Sequence, residues 1–139
     1  MYLRILNKPL KNKQSFFLFG ARGTGKSSWI RSSLKGHILI DLLESEISFI
    51  LEANPQELEK FIPENFKGWV VIDEIQKVPS LLDEVHRLIE KKKYRFILTG
   101  SSARKLKRKG ANLLAGRAFV YNLHPFSYLE IENKFNLTQ

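Results

Sequence analysis

An α/β fold with one parallel, five-stranded sheet is predicted by three observations. Short apolar runs recur along the chain, at Phe16–Phe19, His37–Asp41, Trp69–Asp73, Phe96–Gly100 and Ala118–Leu123. Stretches with helical periodicity lie between them, and alternating strands and helices imply parallel pairing with right-handed crossovers. No repeat, low-complexity tract or linker interrupts the 139 residues, so they read as a single domain, 1–139.

Phe16 to Phe19 is the first strand, and the residues from Gly25 to Ser33 form the helix after it, with Trp29 and Ile30 among its apolar positions. His37 to Asp41 is a short second strand. Leu43 to Phe61 reads as helix, broken at Pro55 because proline lacks the amide proton and clashes with the preceding turn. Trp69-Val70-Val71-Ile72-Asp73 is a β-branched run of the kind buried on both faces of a parallel sheet. Ser80 is expected to cap the next helix, with Asp83 at the capping-box position. On that helix Leu81, Leu82, Val85, Leu88 and Ile89 share one face, and Lys91 to Lys93 suit the negative end of its dipole. Phe96 to Gly100 and Ala118 to Leu123 complete the sheet, and Pro125 ends the last strand.

Composition bounds the function. No apolar run approaches the length of a membrane span, and Met1 to Leu6 lack the features of a signal peptide. With no cysteine there are neither disulfides nor thiolate metal sites, and His37, His86 and His124 lack ligand spacing. A soluble, cytoplasmic protein with no membrane partner is the expectation. The net charge of +9 is concentrated: residues 1–90 carry twelve side chains of each sign, whereas residues 91–129 carry ten basic and no acidic ones.

Residues 20–27 read Gly-Ala-Arg-Gly-Thr-Gly-Lys-Ser, a complete G-x-x-x-x-G-K-[ST] phosphate-binding string between a strand and a helix. Gly20, Gly23 and Gly25 permit the backbone to wrap a phosphate, and its amides converge at a helix N-terminus. Lys26 would reach the β- and γ-phosphates of ATP, and the Ser27 hydroxyl would ligate Mg²⁺. The nucleotide-contacting set is Gly20, Arg22, Gly23, Thr24, Gly25, Lys26, Ser27 and Ser28.

Asp73-Glu74 follows the third strand and brings two carboxylates to the carboxyl edge of the sheet, where α/β ligand sites form. Asp-Glu after a strand is also a common solvated loop start; its pairing with the phosphate loop favours the site. Asp73 would hold Mg²⁺ and Glu74 would polarise the attacking water, which favours hydrolysis over transfer to an acceptor. At the end of the next strand, Ser101 is the first choice and Thr99 the second for contacting the γ-phosphate or the water. Arg117 could stabilise transition-state charge, in cis or on a neighbouring subunit, or could be a surface residue after a glycine turn.

These pieces, in this order, resemble AAA+ ATPases of the P-loop class. The strings Val71-Ile72-Asp73-Glu74-Ile75-Gln76-Lys77-Val78-Pro79, Leu98-Thr99-Gly100-Ser101-Ser102-Ala103 and Leu114-Ala115-Gly116-Arg117 are similar to a prokaryotic AAA+ group in which the ATPase domain precedes a further domain. The resemblance implies a three-layer P-loop fold with AAA+ strand order, Mg-ATP hydrolysis, a phosphate-sensing role for Ser101 or its neighbours and a finger role for Arg117 in an oligomer. Members of the group continue into a helical lid; the chain ends at Gln139, so the expectation is a domain without the lid.

The basic stretch includes Arg104, Lys105, Lys107, Arg108 and Lys109. It fits contact with nucleic-acid phosphates, or a solvated helix end with a loop that pairs with an acidic surface of the C-terminal part that members of the group carry. Three functions stay open on sequence: an ATP-hydrolysing switch or motor for an unknown effector, a nucleic-acid-binding module regulated by ATP, and a nucleotide-binding fragment without turnover.

Overall fold

In a computed structural model, residues 14–20, 30, 34, 36–101, 104, 106 and 119–123 are described. They contain β1 (Phe16–Gly20), β2 (Ile38–Asp41), α1 (Ser45–Ala53), a 3-10 segment (Pro55–Phe61), β3 (Trp69–Asp73), a 3-10 turn (Ile75–Lys77), α2 (Leu81–Lys92), β4 (Arg95–Gly100) and β5 (Phe119–Leu123). The five strands form one sheet in the order β2-β3-β4-β1-β5, with every pair parallel. The expected fold class holds.

The inner strands β1, β3 and β4 are buried along nearly their whole length because both faces of the sheet are covered there, whereas Leu39 of β2 and Val120 of β5, at the edges, are exposed. Successive side chains point to opposite faces, and the core divides accordingly. Phe17, Phe19, Ile40, Val70, Ile72, Phe96 and Leu98 pack with Leu51, Leu58, Leu81, Val85 and Leu88 from α1, the 3-10 segment and α2. Phe16, Leu18, Val71 and Ile97 face the other way, onto Ile30 and Leu34. Ile30 is helical, and the Leu34 amide donates to its carbonyl at 3.1 Å. Of the helix expected over 25–33, Ile30 is the position that lies among the described residues. Helical segments on one side of the central sheet and the helical Ile30 on the other fit the three layers expected.

Two local expectations are corrected. The helix expected across 43–61 does break at Pro55, but the segment after the break is 3-10 rather than α. Asn54 has extended backbone at the break, and its side chain accepts from the Gln56 amide, which restarts the chain in a tighter turn. Ser80 does occupy the N-cap position of α2, but its backbone is already helical and its side chain makes no capping bond. The Leu81 and Leu82 amides donate instead to the carbonyls of Val78 and Pro79. The preceding turn thus satisfies amides that a serine cap would have taken. The predicted apolar face of α2 is present, with Leu81, Leu82, Val85 and Leu88 buried and Ile89 packed against them.

Polar side chains join distant segments. The Ser15 hydroxyl, just before β1, accepts from the Phe96 amide at 2.9 Å and so satisfies the start of β4. Arg87 of α2 reaches Glu59 of the 3-10 segment at 2.7 Å and also pairs with Glu84. Arg95 lies over the Trp69 ring, 5.2 Å from its centroid.

The strand order places the site. From β1 the chain crosses to β2 at the far edge and returns through β3 to β4, beside β1; from β4 it passes to β5 on the other side. The connections therefore diverge at the carboxyl ends of β1 and β4, where open α/β sheets form their ligand crevice.

Candidate functional site

The carboxyl ends of β1, β3 and β4 bring together Gly20, Asp73, Glu74, Thr99 and Gly100. Gly20 closes β1 and opens the glycine-rich string. Register pairs Phe19 with Gly100, and Ile72 with Leu98, so β4 lies between the phosphate loop's strand and the carboxylate strand.

Thr99 is the internal tie of this edge. It is fully buried, its hydroxyl donates to Asp73 Oδ1, and its own Oγ1 accepts from the Glu74 amide at 3.3 Å. One side chain on β4 therefore fixes both the magnesium-ligand candidate and the backbone of the next residue. Asp41, the partner of Asp73 in register on β2, turns to its own chain, where its Oδ1 accepts from the Leu43 amide at 2.9 Å.

Glu74 has left-handed backbone, with φ 63° and ψ 53°. A residue with a Cβ adopts this conformation at a cost of roughly 1–3 kcal/mol, and it persists where surroundings over-determine it. Here the Lys77 amide donates to the Glu74 carbonyl at 3.0 Å, the Glu74 amide reaches Thr99, and Gln76 Nε2 donates to Glu74 Oε2 at 3.1 Å. The bend turns the chain sharply out of β3 into the 3-10 turn and carries the Glu74 side chain on the rim of the sheet.

Thr99, the second choice on sequence, is the hydroxyl in contact with Asp73 and Glu74; Ser101 is half-buried one residue beyond β4. Sequence reasoning misses Gln76 as a site residue, because its proximity to Glu74 depends on a left-handed bend that no local pattern announces. Arg22, Gly23, Thr24, Gly25, Lys26, Ser27 and Ser28 lie outside the described residues, as do Arg117, Lys105, Lys107, Arg108 and Lys109. Arg104 is described, as an exposed helical residue, and the neighbouring Leu106 is buried in the core.

The donor chemistry suits a magnesium ion. Asp73 offers hard carboxylate oxygens, one of which is oriented by Thr99. Among the described residues no three His, Cys, Asp or Glu side chains gather into a metal-binding group. Magnesium needs no such cage, since it takes one or two protein oxygens and completes its shell with water and substrate phosphates. No helix among the described residues is long and apolar enough to cross a membrane.

Comparison with known proteins agrees with this architecture. Residues 12–132 match the family described as AAA domain. No curated protein matches the chain. Among solved structures, the Aeropyrum pernix ORC1 protein in complex with DNA is similar at TM-score 0.59 and 16% identity, covering 87% of this chain and 43% of that one. The Aeropyrum pernix ORC2 protein in its ADP form is similar at TM-score 0.54 and 16% identity, covering 95% and 49%. A chain of the Drosophila ORC bound to DNA is similar at TM-score 0.51 and 14% identity, covering 86% of each. At these identities the likeness is one of fold, and the chain spans under half the length of the two archaeal proteins. With the family match across most of its length, the chain belongs to the AAA domain family of AAA+ P-loop ATPases, a nucleotide-binding class.

Proposed function

We propose that this chain binds Mg-ATP and hydrolyses it, acting as an AAA+ nucleotide switch or motor for an effector, in the cytoplasm. The observation that carries the reading is the tie among Asp73, Thr99 and Glu74 at the sheet edge that Gly20 shares. The loop from Gly20 to Ser28 would cradle the phosphates through its amides, and Lys26 would neutralise the β- and γ-phosphates. Ser27 and Asp73 would hold Mg²⁺, which supplies charge neutralisation at the phosphates when bound. Glu74 would accept a proton from a water as its oxygen bonds to the γ-phosphorus. The bond from that phosphorus to the ADP oxygen breaks, giving ADP and phosphate. Ser101 would contact the γ-phosphate, and Arg117 would stabilise the transition-state charge at a neighbouring subunit's site in a homo-oligomer.

Two substitutions test this reading. Lys26→Ala is expected to lose nucleotide binding, whereas Glu74→Gln keeps ATP affinity and loses turnover. Equal ATP affinity in Lys26→Ala and the wild type would overturn the assignment.

A second reading is favoured by the charge asymmetry. Ten basic residues and no acidic one over 91–129 suit a polyanion, and two of the fold's neighbours carry DNA in their structures. In this reading Arg104, Lys105, Lys107, Arg108 and Lys109 contact nucleic-acid phosphates and ATP regulates the binding.

A further inference from the structure

We propose that Gln76 is the positioning residue of this site, holding the Glu74 carboxylate in the orientation from which it takes a proton from water. The inference rests on the reading of Glu74 as the water-activating group.

The geometry begins with the bend. Because Glu74 is left-handed, the chain curls back, and Gln76 lies beside the carboxylate two residues earlier. Gln76 is only 8% exposed, unusual burial for a glutamine with so much hydrogen-bonding capacity. Its Nε2 donates to Glu74 Oε2 at 3.1 Å. The amide orientation follows from chemistry: an ionised carboxylate only accepts, so the NH₂ end must face it and the carbonyl end must face away.

The carbonyl end lies against β4. A Cβ at Gly100 would stand 2.5 Å from Gln76 Oε1 and 3.3 Å from the Phe19 ring. Real Cβ atoms do not make the first of these contacts, so a side chain at position 100 would force the Gln76 amide to shift from its place against β4. The amide is thus wedged between β4 and Glu74. A glutamate side chain has several rotatable bonds; with Oε2 held, its other oxygen is directed to one region rather than many, as a near-attack geometry requires.

The test uses the whole chain. Gln76→Met keeps the length and removes the donor; Gly100→Ala keeps the donor and fills its cradle. Both are expected to leave Mg-ATP affinity within about twofold and to lower kcat roughly ten- to a hundredfold. The second readout needs no turnover: the side-chain NH₂ resonances of Gln76, by ¹⁵N NMR on the apo protein, are expected to move on Glu74→Gln. A purely structural glutamine would not show this dependence together with the kcat loss. Wild-type kcat in Gln76→Met, or Gln76 resonances that ignore Glu74→Gln, overturns the inference while leaving Glu74 as the water-activating group. Wild-type turnover in Glu74→Gln, or no turnover in the wild-type chain, overturns that underlying reading and the inference with it. A loss of ATP affinity matching the loss of kcat also overturns positioning, since it marks general damage to the site.

Discussion

Replacing Thr99 by valine removes one hydroxyl and keeps the branched shape that a central strand prefers. In the folded protein that hydroxyl donates to the Asp73 carboxylate and accepts from the Glu74 amide at 3.3 Å. A hydrogen bond to an ionised group contributes about 1.5–3 kcal/mol, and the longer amide bond adds about 0.5 kcal/mol. Asp73 and Glu74 are half-buried, so water recovers part of the loss. The expected destabilisation is therefore about 1.5–3 kcal/mol, or roughly 5–10 °C in Tm for a domain of this size. Thr99→Ser is the control: it keeps the hydroxyl and loses a buried methyl, at about 1 kcal/mol. Urea unfolding of all three proteins, with m-values compared, gives the order wild type, serine, valine. ATP turnover is expected to fall further in the valine variant than in the serine one, because the tie orients both carboxylate residues. Valine as stable as the wild type, or more stable than serine, would refute the reasoning.

The same physics sets the outcome of other perturbations. Arg87→Met leaves the buried Glu84 without its guanidinium; allowing for the partial exposure of Arg87, about 1–2 kcal/mol of stability should be lost at neutral pH, read by urea unfolding. The Arg87 hydrogen bond also holds the Glu59 carboxyl below its usual range. Because the folded value is the lower one, that stabilisation is present above the ordinary glutamate range and is lost as pH falls through the folded value. The wild-type advantage over Arg87→Met should therefore shrink in acid, and a constant gap between pH 7 and pH 3 would count against it. If the basic stretch binds DNA, affinity should fall steeply with salt, and replacing Arg104, Lys105, Lys107, Arg108 and Lys109 by glutamine should flatten the log–log slope by about 0.9 per lost contact. Salt-independent binding, or an unchanged slope in that variant, would exclude the stretch as the interface.

Much of this fold is legible in one dimension. Phe16 to Phe19 and Trp69 to Ile72 are apolar at every position, and only a sheet covered on both faces buries them all. The α2 stripe at Leu81, Leu82, Val85 and Leu88 is equally plain. The differences at Pro55–Phe61 and Ser80 both concern how a helix begins: the Asn54 side chain sets the first, and the backbone hydrogen bonds of the preceding turn set the second. Within the site, Asp73 and Glu74 are legible because consecutive carboxylates after a buried strand are a local pattern. That Thr99 is the hydroxyl tied to Asp73 is not, because Thr99 and Ser101 follow the same apolar run and the contact depends on how β3 and β4 pair.

By itself, then, the chain's one-dimensional order determined the five strands, the double-sided burial of β1, β3 and β4, the apolar stripe of α2 and the glycine-rich string that opens at Gly20. These depend on periodicity and on residues within a few positions of one another. Only the tertiary structure decided that β4 sits between β1 and β3, since local periodicity is compatible with many strand orders. That adjacency sets Thr99 against Asp73, 26 residues away in sequence, and wedges Gln76 between Glu74 and Gly100. The energy that selects it is long-range packing of two buried faces, which no short window of sequence contains.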